Sequence, residues 1–190
     1  MISLFKDMKL FNVIFALVTG VFVAWLASDF VSAKYNVFLF IFFPVFSVFC
    51  LWLAEIVGRK IFIVRQMARF VLVGGFADII DIKVYLLLFW LIPASLLIKS
   101  ISFLIAVAIK YFGNKYWVFN NDAGHSIKEM SKFLAVTAIG LIINVASFYF
   151  ITQIKTGLPM KIWTEISIII AALVASVWNF LCYKLLVFKK

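Results

Sequence analysis

Six stretches of the chain are apolar over lengths that can cross a bilayer, which leaves little room for any other architecture. They run from Leu10 to Ser28, Val37 to Val57, Phe70 to Ile92, Leu96 to Val118, Phe133 to Ile151 and Ile166 to Cys182. Spanning hydrocarbon takes roughly 20 predominantly apolar residues per helix. The pattern therefore predicts an all-α integral membrane protein with six transmembrane helices. Of the 190 residues, 66% are hydrophobic and 14% charged, a balance that excludes an ordinary soluble domain.

The net charge of +10 would suggest nucleic acid as a partner in a soluble protein. Here its placement is a topology signal, and no nucleic-acid partner is expected. With the N-terminus inside, the inner side carries Lys6, Lys9, Arg59, Lys60, Arg65, Arg69, Lys110, Lys115, Lys128, Lys132, Lys184, Lys189 and Lys190, against Lys34, Lys99, Lys155 and Lys161 outside. That bias predicts a multi-pass protein of the cytoplasmic (inner) membrane with both termini cytoplasmic. The first run is too long for a signal-peptide core and its small-residue exit, LASDF, is weak, so it reads as a retained helix.

Little in the chain suggests covalent chemistry. Cys50 and Cys182 fall within expected spans, where a thiol is a small apolar filler. His125 stands in the loop NNDAGHSIKE with no second ligand at metal spacing. With no nucleophile constellation and no glycine-rich phosphate loop, the chain is not expected to be an enzyme, and neither a metal nor a cofactor is expected. The glycines of VGGF, Gly74 and Gly75, are expected to serve close helix packing.

The last two-thirds of the chain repeats itself. RFVLVGGFADIID, ending at Asp81, aligns with KFLAVTAIGLIIN, ending at Asn144, at an offset of 63; AVAIKYFGNKYWVF, ending at Phe119, aligns with ASVWNFLCYKLLVF, ending at Phe188, at an offset of 69. This register pairs Arg69 with Lys132, Asp81 with Asn144, Lys110 with Asn179, and Lys115 with Lys184. Each repeat holds two helices, so both copies run in the same direction about an axis along the membrane normal. Parallel repeats of this kind recur in transporters with sites between the repeats, although duplication can also serve packing alone.

The run RFVLVGGFADIIDIKVYLLL, then ISFLIAVAIKYFGNKYWVF, a second KF opening and a closing NFLCYKLLVFKK together resemble the GtrA family of four-helix membrane proteins. The likeness covers about 67–190, with repeats at about 67–120 and 130–190, and leaves 1–66 as a two-helix N-terminal transmembrane extension with a basic interfacial segment, GRKIFIVRQMAR. The resemblance implies translocation of a polyprenyl-phosphate-linked sugar for cell-envelope polysaccharide glycosylation. Two residues depart from the family pattern: Lys110 stands where asparagine is usual, and Asp78 where a small or neutral residue is usual.

The polar residues inside the spans fit two kinds of role. Asp78 and Asp81, three apart, share a helix face with Gly74 and Tyr85, and like charges so close call for a cation. Asp78 lies about 12 Å from the cytoplasmic end of its helix, and Lys110 lies at similar depth on the next helix. Asp78, Asp81 and Lys110 are expected to form one coupled set, either as a structural salt bridge or as part of a polar groove with Asn114, Asn144 and Asn179. Lys83 points about 200° away from Asp81 and needs another partner, in a second subunit or the N-terminal helices. Glu55 is expected to pair with Arg59 at i,i+4.

Along the inner rim, the repeat-matched cations Arg69, Lys115, Lys132 and Lys184 are expected to bind the phosphate of the lipid headgroup, with Tyr116 and Trp117 stacking on the sugar. Positive-inside bias and aromatic-belt anchoring explain the same residues without a ligand. The competing functions are a membrane anchor or scaffold for a glycosyltransferase partner, and a proton-coupled small-solute exporter driven through Asp78 and Asp81. Besides the lipid-linked sugar and membrane lipids, a second copy of the chain in a homodimer is an expected partner.

Overall fold

A computed structural model describes residues 9–90, 95–124, 126–157 and 159–189, less the side chains of Ser95 and Lys161. Lys6, Ile92, His125 and Lys190 lie outside the described residues. Among those residues there are six α-helices and no strand: α1 (Leu10–Ala27), α2 (Asn36–Val57), α3 (Phe62–Phe89), α4 (Ser95–Phe112), α5 (Ile127–Thr152) and α6 (Met160–Cys182). Five helical stretches are long and apolar enough to cross a membrane: Leu10–Ala27, Ala33–Val57, Leu96–Val118, Ile127–Thr152 and Ile162–Val187. At 28 residues α3 has the length, but Asp78, Asp81 and Lys83 interrupt its apolar run.

The chain divides into two compact units, Met1–Asn120 and Asn121–Lys190. In the first, α1 packs on α2, α3 packs on α4, and α3 also touches α1 and α2. The α1–α2 contact is close because Gly20 has no side chain. A Cβ there would lie 2.6 Å from both the Phe43 carbonyl oxygen and the Pro44 nitrogen, so the two backbones meet where small residues commonly let membrane helices approach. Pro44 itself sits inside α2. On the outward side of α2, Phe38, Phe42 and Phe46 stack in succession with centroids 5.4 Å apart.

The turn from α2 to α3 is four residues long, Gly58 to Ile61. A Cβ on Gly58 would stand 2.7 Å from the Ala54 carbonyl oxygen and 2.7 Å from the Arg65 Cβ. The glycine thus lets the first turn of α3 fold back against the last turn of α2. As a consequence, most of the basic stretch expected to form a separate interfacial segment is built into α3, which begins at Phe62. The reason is the ion pairing described below, which draws Arg65 and Arg69 onto α2.

In the second unit α5 packs on α6. Helix α5 starts six residues before the apolar run that marked it, because Ser126 caps its N-terminus by accepting from the Lys128 N–H at 3.2 Å. Glu129 in the first turn adds favourable interaction with the helix dipole. The end of this pair at the start of α5 is closed by aromatic packing: Phe133 stacks on Tyr183 at 4.7 Å, and Phe188 closes over both.

The Gly20 contact yields a stability prediction. Gly20→Leu should lower the unfolding stability of the detergent-solubilised protein by about 1–3 kcal/mol through overpacking, read as a lowered transition midpoint. An unchanged midpoint would mean that α1 and α2 do not pack at this point.

Candidate functional site

Both two-helix repeats end in the same backbone device. Helix α4 continues into a π-helical segment, Gly113–Val118, and α6 into Tyr183–Val187. In the first, the Phe119 N–H donates to the Asn114 carbonyl at 2.9 Å; in the second, the Phe188 N–H donates to the Tyr183 carbonyl at 2.8 Å. These are i→i−5 bonds, and π turns of this kind frequently mark functional sites. A cation from the preceding helix reaches the widened turn in each case: Arg69 Nη1 donates to the Trp117 carbonyl at 3.5 Å, and Lys132 Nζ to the Leu186 carbonyl at 3.4 Å. Under the offsets of 63 and 69 every one of these partners is matched.

The side chains on these matched backbones differ in what they can reach. Arg69 is ion-paired with Glu55 of α2, the two side chains being 13% and 12% exposed. Arg65 Nε lies 2.7 Å from the other Glu55 oxygen. Asn12 of α1 donates to Glu55 at 3.3 Å and accepts from the Trp117 indole at 2.8 Å. Glu55 therefore belongs to a half-buried network with Arg65 and Arg69 across the turn, where an exposed i,i+4 pair with Arg59 was the expectation. The helix-hairpin register could have indicated it, since Glu55 is two residues before the end of α2 and Arg65 three after the start of α3.

Trp117, expected to stack on a sugar, packs its ring against Phe15 at 4.5 Å and Phe11 at 5.9 Å and is buried. Its neighbour Tyr116 is half exposed and lies parallel to Phe112 at 6.3 Å. Lys115 is fully buried, with Nζ 5.8 Å from the Tyr111 ring centre and 5.9 Å from that of Tyr116. In the second unit Lys132 is exposed and Lys184 intermediate, the latter with Nζ 5.9 Å from the Phe180 ring centre.

Deeper along α3 the charges pair with α4 in sequence. Asp78 Oδ1 meets Lys110 Nζ at 2.6 Å. Asp81 Oδ2 meets Lys99 Nζ at 2.6 Å, and its Oδ1 accepts from the Ser102 hydroxyl at 2.6 Å. The expected set of Asp78, Asp81 and Lys110 is thus divided: Asp78 holds Lys110, while Asp81, one turn further along, is paired with Lys99 and Ser102. Lys99 counted only as an outer topology marker in the sequence. Lys83, 7% exposed, pairs with Asp29 at the end of α1 at 2.6 Å and lies 4.4 Å from the Trp25 ring centre, so its partner does come from the N-terminal helices.

The amides and glycines complete the geometry. Asn114 Nδ2 donates to the Lys110 carbonyl at 2.7 Å, while its Oδ1 is buried without a hydrogen-bond partner among the described residues. Asn179 Oδ1 is likewise buried and unpaired, with Asn179 filling the space that a side chain on Gly140 would need. Asn144 is half-buried. Gly74 and Gly75 make no close packing contact within the first unit, because no atom of the described residues lies within 4 Å of where their Cβ atoms would stand. The close approach of α3 to the end of α4 is made instead at Gly113, where a Cβ would meet Val73 at 2.7 Å.

Among the described residues no group of three His, Cys, Asp or Glu side chains could hold a metal ion. A family model described as GtrA/DPMS, transmembrane domain, matches residues 69–188. No curated protein and no solved structure matches the chain.

The Glu55 network predicts strong coupling. Glu55→Gln alone leaves two guanidinium groups uncompensated in a half-buried setting and should cost about 1–3 kcal/mol, while Glu55→Gln combined with Arg69→Gln should recover part of that loss. A double-mutant cycle on detergent-solubilised protein tests this, and strict additivity would show that the two side chains do not interact.

Proposed function

The chain belongs to the GtrA/DPMS transmembrane-domain family over residues 69–188, with α1 and α2 outside the matched region, and on that premise we propose that it carries a polyprenyl-phosphate-linked sugar across the cytoplasmic membrane to supply cell-envelope glycosylation. The observation that carries this reading is the paired charge on α3. Ionisable residues within a span are expensive unless they face a partner or a water-filled path, and they commonly mark a transported polar group. Each of Asp78, Asp81 and Lys83 has a lysine or aspartate partner, so α3 can serve as the sixth span at little net charge. No covalent step is needed.

The headgroup enters at the inner rim. Of the four repeat-matched cations, Lys132 and Lys184 are the accessible pair and take the phosphate, while Arg69 and Lys115 hold the matching turn of the first repeat in place. Within the second unit the sugar hydroxyls are met by the amides Asn144 and Asn179, the latter with an unpaired carbonyl oxygen among the described residues. In the first unit Tyr116, half exposed beside Lys115, offers a ring face of its own. The polyprenyl tail stays in lipid.

Two measurements test the reading. In proteoliposomes, Lys132→Gln with Lys184→Gln should weaken binding of a short-chain polyprenyl phosphate by about tenfold or more, whereas Lys9→Gln with Lys189→Gln should change it by less than about twofold. Equal losses in both pairs would reduce the rim to a topology signal. For orientation, single cysteines replacing Lys34 or Lys155 in a background lacking Cys50 and Cys182 should react with an impermeant reagent from outside, and one replacing Lys128 should not. The reverse pattern would invert the entry side.

A further inference from the structure

An open polar stripe runs along one edge of the first unit. On α3, Gly74, Asp78, Asp81 and Tyr85 fall at spacings of four, three and four, which place them on one helix face. On α4, Lys99 and Lys110 are eleven residues apart, close to three full turns, and so share the face that meets this stripe. The side chain of Asp78 is 62% exposed and that of Lys99 51%, and the space beside Gly74 and Gly75 is empty. Hydrocarbon does not solvate such groups. Within the first unit the stripe is therefore a face that calls for water or a polar occupant.

The second repeat lacks these charges. At the positions of Asp78, Asp81, Lys99, Ser102 and Lys110 the offsets place Leu141, Asn144, Ile168, Ala171 and Asn179. The ion pairs thus serve something other than the fold common to both repeats.

We propose that the α3–α4 stripe is a two-station path for the phosphate, with Lys110 as the first station and Lys99 as the second. The proposal rests on the translocation reading above and adds Lys99 and Ser102 to the residues that handle the headgroup. The stations lie about 16 Å apart along α4, roughly half the hydrocarbon thickness of about 30 Å. An anionic headgroup moving between them never crosses the full apolar distance unaccompanied. Each lysine is neutralised by an aspartate while the path is empty, and a phosphate replaces that aspartate as the ammonium's partner.

Ser102 makes the exchange feasible at the second station. Its hydroxyl donates to Asp81 Oδ1 at 2.6 Å while Lys99 holds Oδ2, so the carboxylate keeps one hydrogen bond when the ammonium turns to the phosphate. Lys99 Nζ also lies 6.0 Å from the Tyr85 ring centre, which gives the cation a second resting contact.

The test uses the full chain in proteoliposomes and a short-chain polyprenyl phosphate as the probe, measuring binding and transbilayer movement separately. Lys99→Gln should slow movement about tenfold or more while binding changes less than about twofold, and Lys99→Arg should retain most of the rate. Asp81→Asn with Lys99→Gln controls for a merely structural pair, because it removes both charges with little change of shape. Movement that stays slow in this double variant, with the protein folded, supports the path. Movement restored by it, or undiminished in Lys99→Gln, overturns the second station and leaves the translocation reading standing. A wild-type chain that moves no probe overturns both. Efficient cross-linking of Asp78→Cys chains to one another, with movement unimpaired, would assign the stripe to a contact between copies and overturn the path.

Discussion

The enclosure of Glu55 between two arginines organises the end of the first unit where α1 begins, α2 ends and α3 begins. A carboxylate that is 12% exposed is stable only with its charge compensated and its lone pairs occupied. Arg65 and Arg69 supply the charge, and Asn12 adds a hydrogen bond. That requirement brings α1, α2 and α3 together at one level. Through the Asn12 bond to the Trp117 indole it also fixes the π-helical end of α4. The N-terminal hairpin, which lies outside the family match, is in this way tied to the first repeat by polar contacts that lipid cannot replace.

This explains why two repeats with matched backbones present different surfaces. Arg69 and Lys132 make the same bond to the same turn, yet Arg69 is enclosed by the hairpin while Lys132 stays open. The same holds at mid-depth, where the first repeat carries ion pairs and the second carries amides. The matched turns differ in what packs against them. The structural half of the pair is stiffened through Glu55, and the other keeps its cations accessible.

Much of this was legible in the sequence, for identifiable reasons. Apolar run length located α1 and α2 to within a residue at each end, because hydrocarbon thickness fixes both. Depth arithmetic on antiparallel neighbours found the Asp78–Lys110 pair, since α-helical rise is constant. What stayed hidden were partners set by tertiary register. Glu55 was read against its own helix, when its partners lie across a four-residue turn. Asp29 sat in a span exit and Lys99 among outer cations, and neither position says which way a side chain will lean. Trp117 carries the chemistry of both a stacking platform and a packing anchor, and only the approach of Phe11 and Phe15 assigns it to α1.

The five ion pairs found among the described residues share an order along the chain. In each, the acid is made before the base: Glu55 before Arg65 and Arg69, Asp29 before Lys83, Asp81 before Lys99, and Asp78 before Lys110. A ribosome adding about 5–20 residues per second therefore delivers each cation to a carboxyl group that has already emerged, after a delay of seconds at most. Helix α3, too polar to settle in lipid by itself, finds one counter-ion already in place at Asp29 and receives two more as α4 follows it out. The charges of α3 are thus matched by the order of synthesis as much as by the packing of its neighbours.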